Sequence, residues 1–271
     1  MIASSLPALN NKLNLDPAQV RAFRQDGHTL TRGLLQPGEV AAYREVINDA
    51  AYKYNTETRK LEERDTYGKA FLQIMNLWAC DEAVKQFTLA KRFAHVAADL
   101  LGVDNVRIYH DQALYKEPGG GFTPWHQDQY YWPLDTNNTV TLWMPLVPIT
   151  EEMGMLTFAS GSHRGGSVKN IAISDESEAE LDAYIRNKNY PITRATSMQA
   201  GDATWHYGWT LHCAPGNLSA VTREVMTIIY FADGASVTPP INKHQENDRS
   251  QWLGGLQPGE KAASSLNPLV L

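Results

Sequence analysis

The residues with the plainest capacity for chemistry are His126 and Asp128, in the run Trp125-His126-Gln127-Asp128. On a strand, side chains two residues apart leave the same face. An imidazole and a carboxylate so placed are two members of a 2-His-1-carboxylate triad, a metal site that leaves positions open on iron(II) for a bidentate co-substrate and dioxygen. The pair alone is a weak signal, because the chain has eight histidines and chance supplies such spacings. His244-Gln245-Glu246 is a rival pair, with no strand around it and no suitable residue after it.

A third ligand must come from a later strand. Gly201-Asp202 opens such a segment, and it holds two candidates, His206 and His212. Eleven residues past His212 stands Arg223, at the head of an apolar run. A guanidinium matches a carboxylate with its planar fork and stays charged when buried, which suits the distal carboxylate of 2-oxoglutarate. The spacing to Arg223 favours His212. Plainer readings exist: a buried hydrogen-bonded pair for His126 and Asp128, and an ordinary ion pair for Arg223.

These residues need elements to carry them. Asp16-Pro17 predicts a helix start, with Gly27 as its stop. A second helix is expected over 37–54, with Val40, Tyr43, Val46, Ile47 and Ala50 at helical spacing, and a third over 92–101. Residues 55–69 are rich in charge and read as a mobile lid or a plain solvated loop. From Val106 the texture changes to short runs of β-formers at 106–116, 139–146, 154–159, 194–198, 203–207 and 224–232. A helical insertion is expected over 174–188, and the tail after Pro239-Pro240 reads as irregular. The expected fold is mainly β with flanking α-helices, a sandwich or jelly roll. One domain is expected over 1–271, helical over about 16–102, a β core over about 105–234, and a tail over 235–271.

Composition narrows the partners. A net charge of −6 argues against nucleic-acid binding, which needs clustered cations. No apolar run is long enough to span a membrane, and Met1 to Asn11 do not read as a signal peptide. Cys80 and Cys213 read as free thiols, so a cytoplasmic location is the expectation. Monomer and homodimer are both open.

The motifs together give a specific resemblance. Trp125-His126-Gln127-Asp128, Gly154-Met155-Leu156, Gly161-Ser162-His163-Arg164-Gly165, Gly201-Asp202, and His212 with Asn217 and Arg223 follow in the order found in the phytanoyl-CoA dioxygenase family, which the chain resembles nearly throughout. That resemblance implies a double-stranded β-helix (a cupin-like jelly roll) with the metal at its mouth. It implies Fe(II) on His126, Asp128 and His212, 2-oxoglutarate on Arg223, and O2 as the second co-substrate. It places Trp143 beside the co-substrate and Gln112 and Gln73 near it, Gln73 standing where some members have lysine. Where many members carry a small hydroxyl residue two after the distal histidine, this chain has Ala214, and Thr141 is a candidate to supply the missing hydrogen bond.

The implied reaction is oxidation of an unactivated C–H bond, with release of succinate and CO2. Hydroxylation is the default, and desaturation, cyclisation and epimerisation use the same cofactors. Asp128 argues against halogenation, which needs that ligand position free. Tyr130, Tyr131, Trp132 and Trp209 are the candidate substrate contacts. The cations of the 55–69 segment are offset by its acids, so a free small molecule, such as a natural-product intermediate, is expected in preference to a CoA thioester. The rival classes are a non-catalytic jelly-roll protein that binds metal or ligand, and a zinc hydrolase using the same three ligands.

Overall fold

The structure, a computed structural model, describes residues 6–271. Its strands are β1 (His28–Thr31), β2 (Leu72–Met75), β3 (Val106–Lys116), β4 (Thr123–His126), β5 (Thr139–Pro145), β6 (Ile149–Thr150), β7 (Thr157–Ala159), β8 (Ile192–Arg194), β9 (Ser197–Met198), β10 (Ala203–Tyr207), β11 (His212–Ala214) and β12 (Arg223–Ala232). Its α-helices are α1 (Pro17–Asp26), α2 (Pro37–Tyr54), α3 (Thr66–Ala70), α4 (Glu82–Thr88), α5 (Lys91–Leu101), α6 (Asp175–Lys188) and α7 (Lys243–Gln251). The content is a mixture of α and β, not mainly β, with antiparallel sheets flanked by helices.

A six-stranded sheet has the order β1-β10-β5-β12-β3-β2, and a four-stranded sheet the order β4-β11-β7-β8. Residues 16–102, expected to be helical, also supply β1 and β2, the two edges of the larger sheet. Both are only four residues long, too short to show an alternating pattern in sequence.

Alternation along the larger sheet decides what faces what. Val140, Leu142 and Met144 of β5 and Met226, Ile228 and Tyr230 of β12 pack with Tyr43, Ile47, Phe87, Phe93 and Leu100 of the helices. Thr141 and Trp143, Thr227 and Ile229, and His110, Gln112 and Leu114 of β3 point the other way, into a cavity. Asp111 is a polar residue on the helix side. Its carboxylate accepts from the Leu77 and Trp78 N–H groups at 2.7 and 3.0 Å and from the Thr88 hydroxyl at 2.8 Å. Burial pushes its pKa up to about 6. These bonds tie the turn before α4 to β3.

The Gly201-Asp202 pair is a structural joint. Gly201 has φ +86°, and a Cβ there would lie 2.8 Å from the Leu35 carbonyl oxygen. Asp202 accepts from the Gly33 and Gln199 N–H groups, both at 2.8 Å.

Two segments differ from expectation. Residues 55–69 are largely exposed, as a solvated loop would be, but they are pinned at one point and partly helical: Arg64 is buried and pairs with Glu117 at 2.5 Å, and Asp65 caps α3. The tail contains α7, capped by Asn242. Buried Asn267 fastens that tail by donating to the carbonyls of Ile108, Tyr109 and Trp252. No helix among the described residues is long and apolar enough to cross a membrane, and both cysteines are free.

Candidate active site

His126 and His212 stand directly opposite each other on the antiparallel neighbours β4 and β11. Their rings therefore leave the same face, with centroids 4.0 Å apart. Each Nδ1 lies on a carbonyl two residues earlier, Pro124 at 2.7 Å and Thr210 at 2.9 Å. A carbonyl can only accept, so Nδ1 carries the proton and Nε2 presents its lone pair.

Asp128 arrives differently from expectation. β4 ends at His126, and Asp128 opens a 3₁₀ turn, Asp128–Tyr131. The turn still brings Oδ1 to 3.5 Å from both Nε2 atoms. The three ligand atoms lie within 4.8 Å of one another, a group able to hold a metal ion. His244 and Glu246 form no such group. The His244 ring packs near Tyr130 and Tyr131, and Glu246 pairs with Arg249.

The other oxygen of Asp128 is engaged. Oδ2 accepts from the Thr141 hydroxyl at 2.9 Å and lies 3.1 Å from Nε2 of His206. Thr141, expected beside the co-substrate, lines the cavity and spends its hydroxyl proton on Asp128. His206, the competitor for the third-ligand place, holds the carboxylate instead. Burial, followed by His126 and His206, keeps His212 well below its ordinary value, hence neutral.

Arg223 is buried at the start of β12. One terminal nitrogen donates to the Gly154 carbonyl, its Nε has no partner among the described residues, and the Trp143 ring centroid lies 5.3 Å from its guanidinium carbon. Burial alone lowers its pKa, to about 9, so it is still a cation at neutral pH. Gly154 has φ +81°, and a Cβ there would fall 2.5 Å from the Pro215 carbonyl oxygen. Only glycine lets that turn deliver its carbonyl to Arg223.

Strand register lays out the cavity, whose volume is about 190 Å³. One row across the floor is His206, Thr141, Ile229 and His110. The next is Thr204, Trp143, Thr227, Gln112 and Met75. Arg223 opposes Lys116 at the end of the strands, about 20 Å of chain from the first row at roughly 3.3 Å per residue. The ligand group sits over the first row, where Thr141 holds Asp128.

Of the other expected site residues, Gln73, Gln112, Tyr131 and Trp132 line this cavity. Gln73 donates to Gln112 at 2.8 Å and accepts from the Tyr67 hydroxyl at 2.9 Å. Tyr130 and Trp209 are not among the lining residues: the Tyr130 carbonyl accepts from Gln245, and the Trp209 indole donates to Asn137 at 2.8 Å. Sequence reasoning missed Tyr67, His110 and Asp248, which also line the cavity. His110 was legible, since it shares a face of β3 with Gln112. Asp248 lies on a short polar helix with no motif around it.

The comparisons with known proteins agree with this fold. The model of the phytanoyl-CoA dioxygenase (PhyH) family matches residues 23–225. A probable alpha-ketoglutarate-dependent hypophosphite dioxygenase of Stutzerimonas stutzeri is 22% identical over 236 residues, covering 80% of this chain and 79% of that protein. Among solved structures, the non-heme alpha ketoglutarate dependent carbocyclase SnoK from nogalamycin biosynthesis superposes with a TM-score of 0.79 at 24% identity, covering 95% of this chain and 97% of its own. The epimerase SnoN, in complex with Fe3+, alpha ketoglutarate and nogalamycin RO, gives a TM-score of 0.77 at 23% identity, covering 94% and 100%. With three quarters of its length matched by the family model and a His-His-Asp group at its centre, the chain belongs to the phytanoyl-CoA dioxygenase family of Fe(II)- and 2-oxoglutarate-dependent oxygenases.

Proposed function

We propose that His126, Asp128 and His212 hold iron(II) through Nε2, Oδ1 and Nε2, and that Arg223 anchors the distal carboxylate of 2-oxoglutarate beside Trp143 and Gln112. The observation that carries this is the buried guanidinium with an unpartnered Nε in the same cavity as the three-ligand group. A buried charge without a partner is costly, and an incoming carboxylate supplies the partner. The donor set suits iron(II) with open positions. When bound, iron(II), 2-oxoglutarate and O2 supply the oxidising power, with succinate and CO2 as co-products.

The residues of the chain position and shield that chemistry. The carbonyls of Pro124 and Thr210 fix the imidazole tautomers. Thr141 and His206 occupy Oδ2 of Asp128, so the carboxylate offers one oxygen and the remaining positions stay open. Tyr131, Trp132, Ile173 and Ile229 form an apolar wall that excludes water. In this reading, the six- and four-stranded sheets are the two halves of a double-stranded β-helix within one catalytic domain, residues 1–271, with α7 part of the site.

The substrate in this reading is a small organic molecule, free of CoA, oxidised at an unactivated C–H bond. For the outcome we favour ring closure or epimerisation over hydroxylation, the default from sequence. The carbocyclase and the epimerase, aligned along nearly their whole lengths, support that choice. Hydroxylation is the second reading, favoured by the relative named as a dioxygenase. Mass spectrometry of the product separates them: ring closure removes two hydrogens, epimerisation leaves the mass unchanged, and hydroxylation adds one oxygen. Succinate release independent of Fe(II), or none with any candidate substrate, would count against the oxygenase assignment of these residues.

A further inference from the structure

The cavity has a polar station that neither the metal group nor Arg223 uses. It is built by the C-terminal helix against β3. The β3–β12 ladder shifts register between Ile229 and Tyr230, opposite Tyr109. Such a bulge re-aims side chains, and here the adjacent Tyr109 and His110 both meet the α7 region. The Tyr109 hydroxyl donates to Oδ2 of Asp248 at 3.0 Å, and the His110 ring stands edge-on to Trp252 with centroids 5.7 Å apart. Asp248 and His110 line the cavity. His110 is 3% exposed, and its Nδ1 is buried without a partner among the described residues. Oδ1 of Asp248 has no hydrogen bond from the described residues, since Tyr109 uses Oδ2.

Charge in the cavity is uneven. Arg223 is the one lysine or arginine among the lining residues, and its guanidinium lies against Trp143 with a hydrogen bond to Gly154, not against Asp248. No cation of the wall therefore serves Asp248. The nearby wall instead offers the rings of Tyr67, Tyr131 and Trp132. Ring faces attract cations, and a desolvated carboxylate binds an ammonium by charge-assisted hydrogen bonds. Burial pushes the Asp248 carboxyl up to about 7, the behaviour of an acid that lacks a counter-charge.

We propose that Asp248, with His110 and the faces of Tyr67, Tyr131 and Trp132, is a subsite for a protonated amine, so that the substrate class is small organic amines. The inference rests on the oxygenase reading of the same cavity and adds a ruler to it. His110 is two strands from Thr141 in one floor row, about 10 Å at the usual strand spacing. The station and the ligand group thus stand over opposite ends of that row, and the amine serves as a handle, not as the reacting group.

The test uses the full chain loaded with Fe(II) and 2-oxoglutarate without oxygen. Primary alkylamines and arylalkylamines are titrated calorimetrically, each against the alcohol and the N-acetyl derivative of the same skeleton. The expected result is at least one amine bound about tenfold or more tightly than both neutral partners. Asp248→Asn, which keeps the volume and an acceptor for Tyr109, is expected to erase that preference. The wild-type comparison alone decides if that variant does not fold. No binding by any amine, equal binding of amine and alcohol, or a preference that survives Asp248→Asn would each overturn the proposal. The visible charge-transfer band of the Fe(II)–2-oxoglutarate complex is recorded first. Its absence would bring down the oxygenase reading, and this subsite with it, before any amine is added.

Discussion

The two oxygens of Asp128 have separate duties. Oδ1 faces both imidazole Nε2 atoms, while Oδ2 is held by Thr141 and His206. Groups that orient a metal ligand typically change metal affinity by about 10–100-fold when removed. His206→Phe, which keeps the ring volume and loses the hydrogen bond, should therefore weaken Fe(II) binding by a factor in that range, read by metal titration. An unchanged affinity would show that Thr141 alone holds the carboxylate. Arg223 makes a second residue-scale prediction. Arg223→Ala should weaken 2-oxoglutarate binding by about 2–5 kcal/mol, measured by calorimetry without oxygen. Arg223→Lys should recover only part of this, because a point charge lacks the planar fork. His126, Asp128, His212 and Arg223 are legible in the sequence because the family's motifs mark them, although the strand expected to carry Asp128 ends at His126. The sequence does not show the partners of Asp128, since Thr141 and His206 reach it from β5 and β10 only once the sheet is assembled.

At the scale of elements, β3 and β12 carry most of the floor, and their paired ends set two basic side chains side by side. Lys116 opposes Arg223, is buried, and donates to the Gly121 carbonyl. Burial, and then Arg223, pushes its pKa down to about 6. Unfolded, a lysine keeps its proton to about pH 10. Between those values the unfolded chain binds the extra proton, so this residue makes stability rise with pH across that window. The destabilisation is greatest below about pH 6 and fades towards pH 10. Lys116→Met should then gain most over the natural protein near pH 6 and least near pH 9 in denaturant melts of the ligand-free chain. A gain independent of pH would mean that Lys116 does not change its protonation on folding.

Legibility at this scale follows burial pattern. β3, β10 and β12 read from sequence because each is long enough, or rich enough in β-formers, to announce itself. The four-residue edges β1 and β2 carry no such pattern. α7 buries only Gln245, so it has no apolar stripe to show, yet it brings Asp248 to the cavity.

At the scale of the whole molecule, one cavity draws on segments far apart in the chain. Tyr67 comes from α3, the ligand group from the smaller sheet and the turn after it, Arg223 from the larger sheet, and Asp248 from the tail. The tail is fastened through Asn267 to β3 and through Gln245 to the Tyr130 carbonyl, so its position is coupled to the floor and to the turn that carries Asp128. In the proposed function, this cavity brings iron(II) and 2-oxoglutarate together on His126, Asp128, His212 and Arg223. The most direct measurement is the visible spectrum of the protein without oxygen, before and after Fe(II) and then 2-oxoglutarate. A weak charge-transfer band that requires both additions and disappears in His126→Ala is the predicted result. Metal bound by the natural chain with no band after 2-oxoglutarate would contradict it.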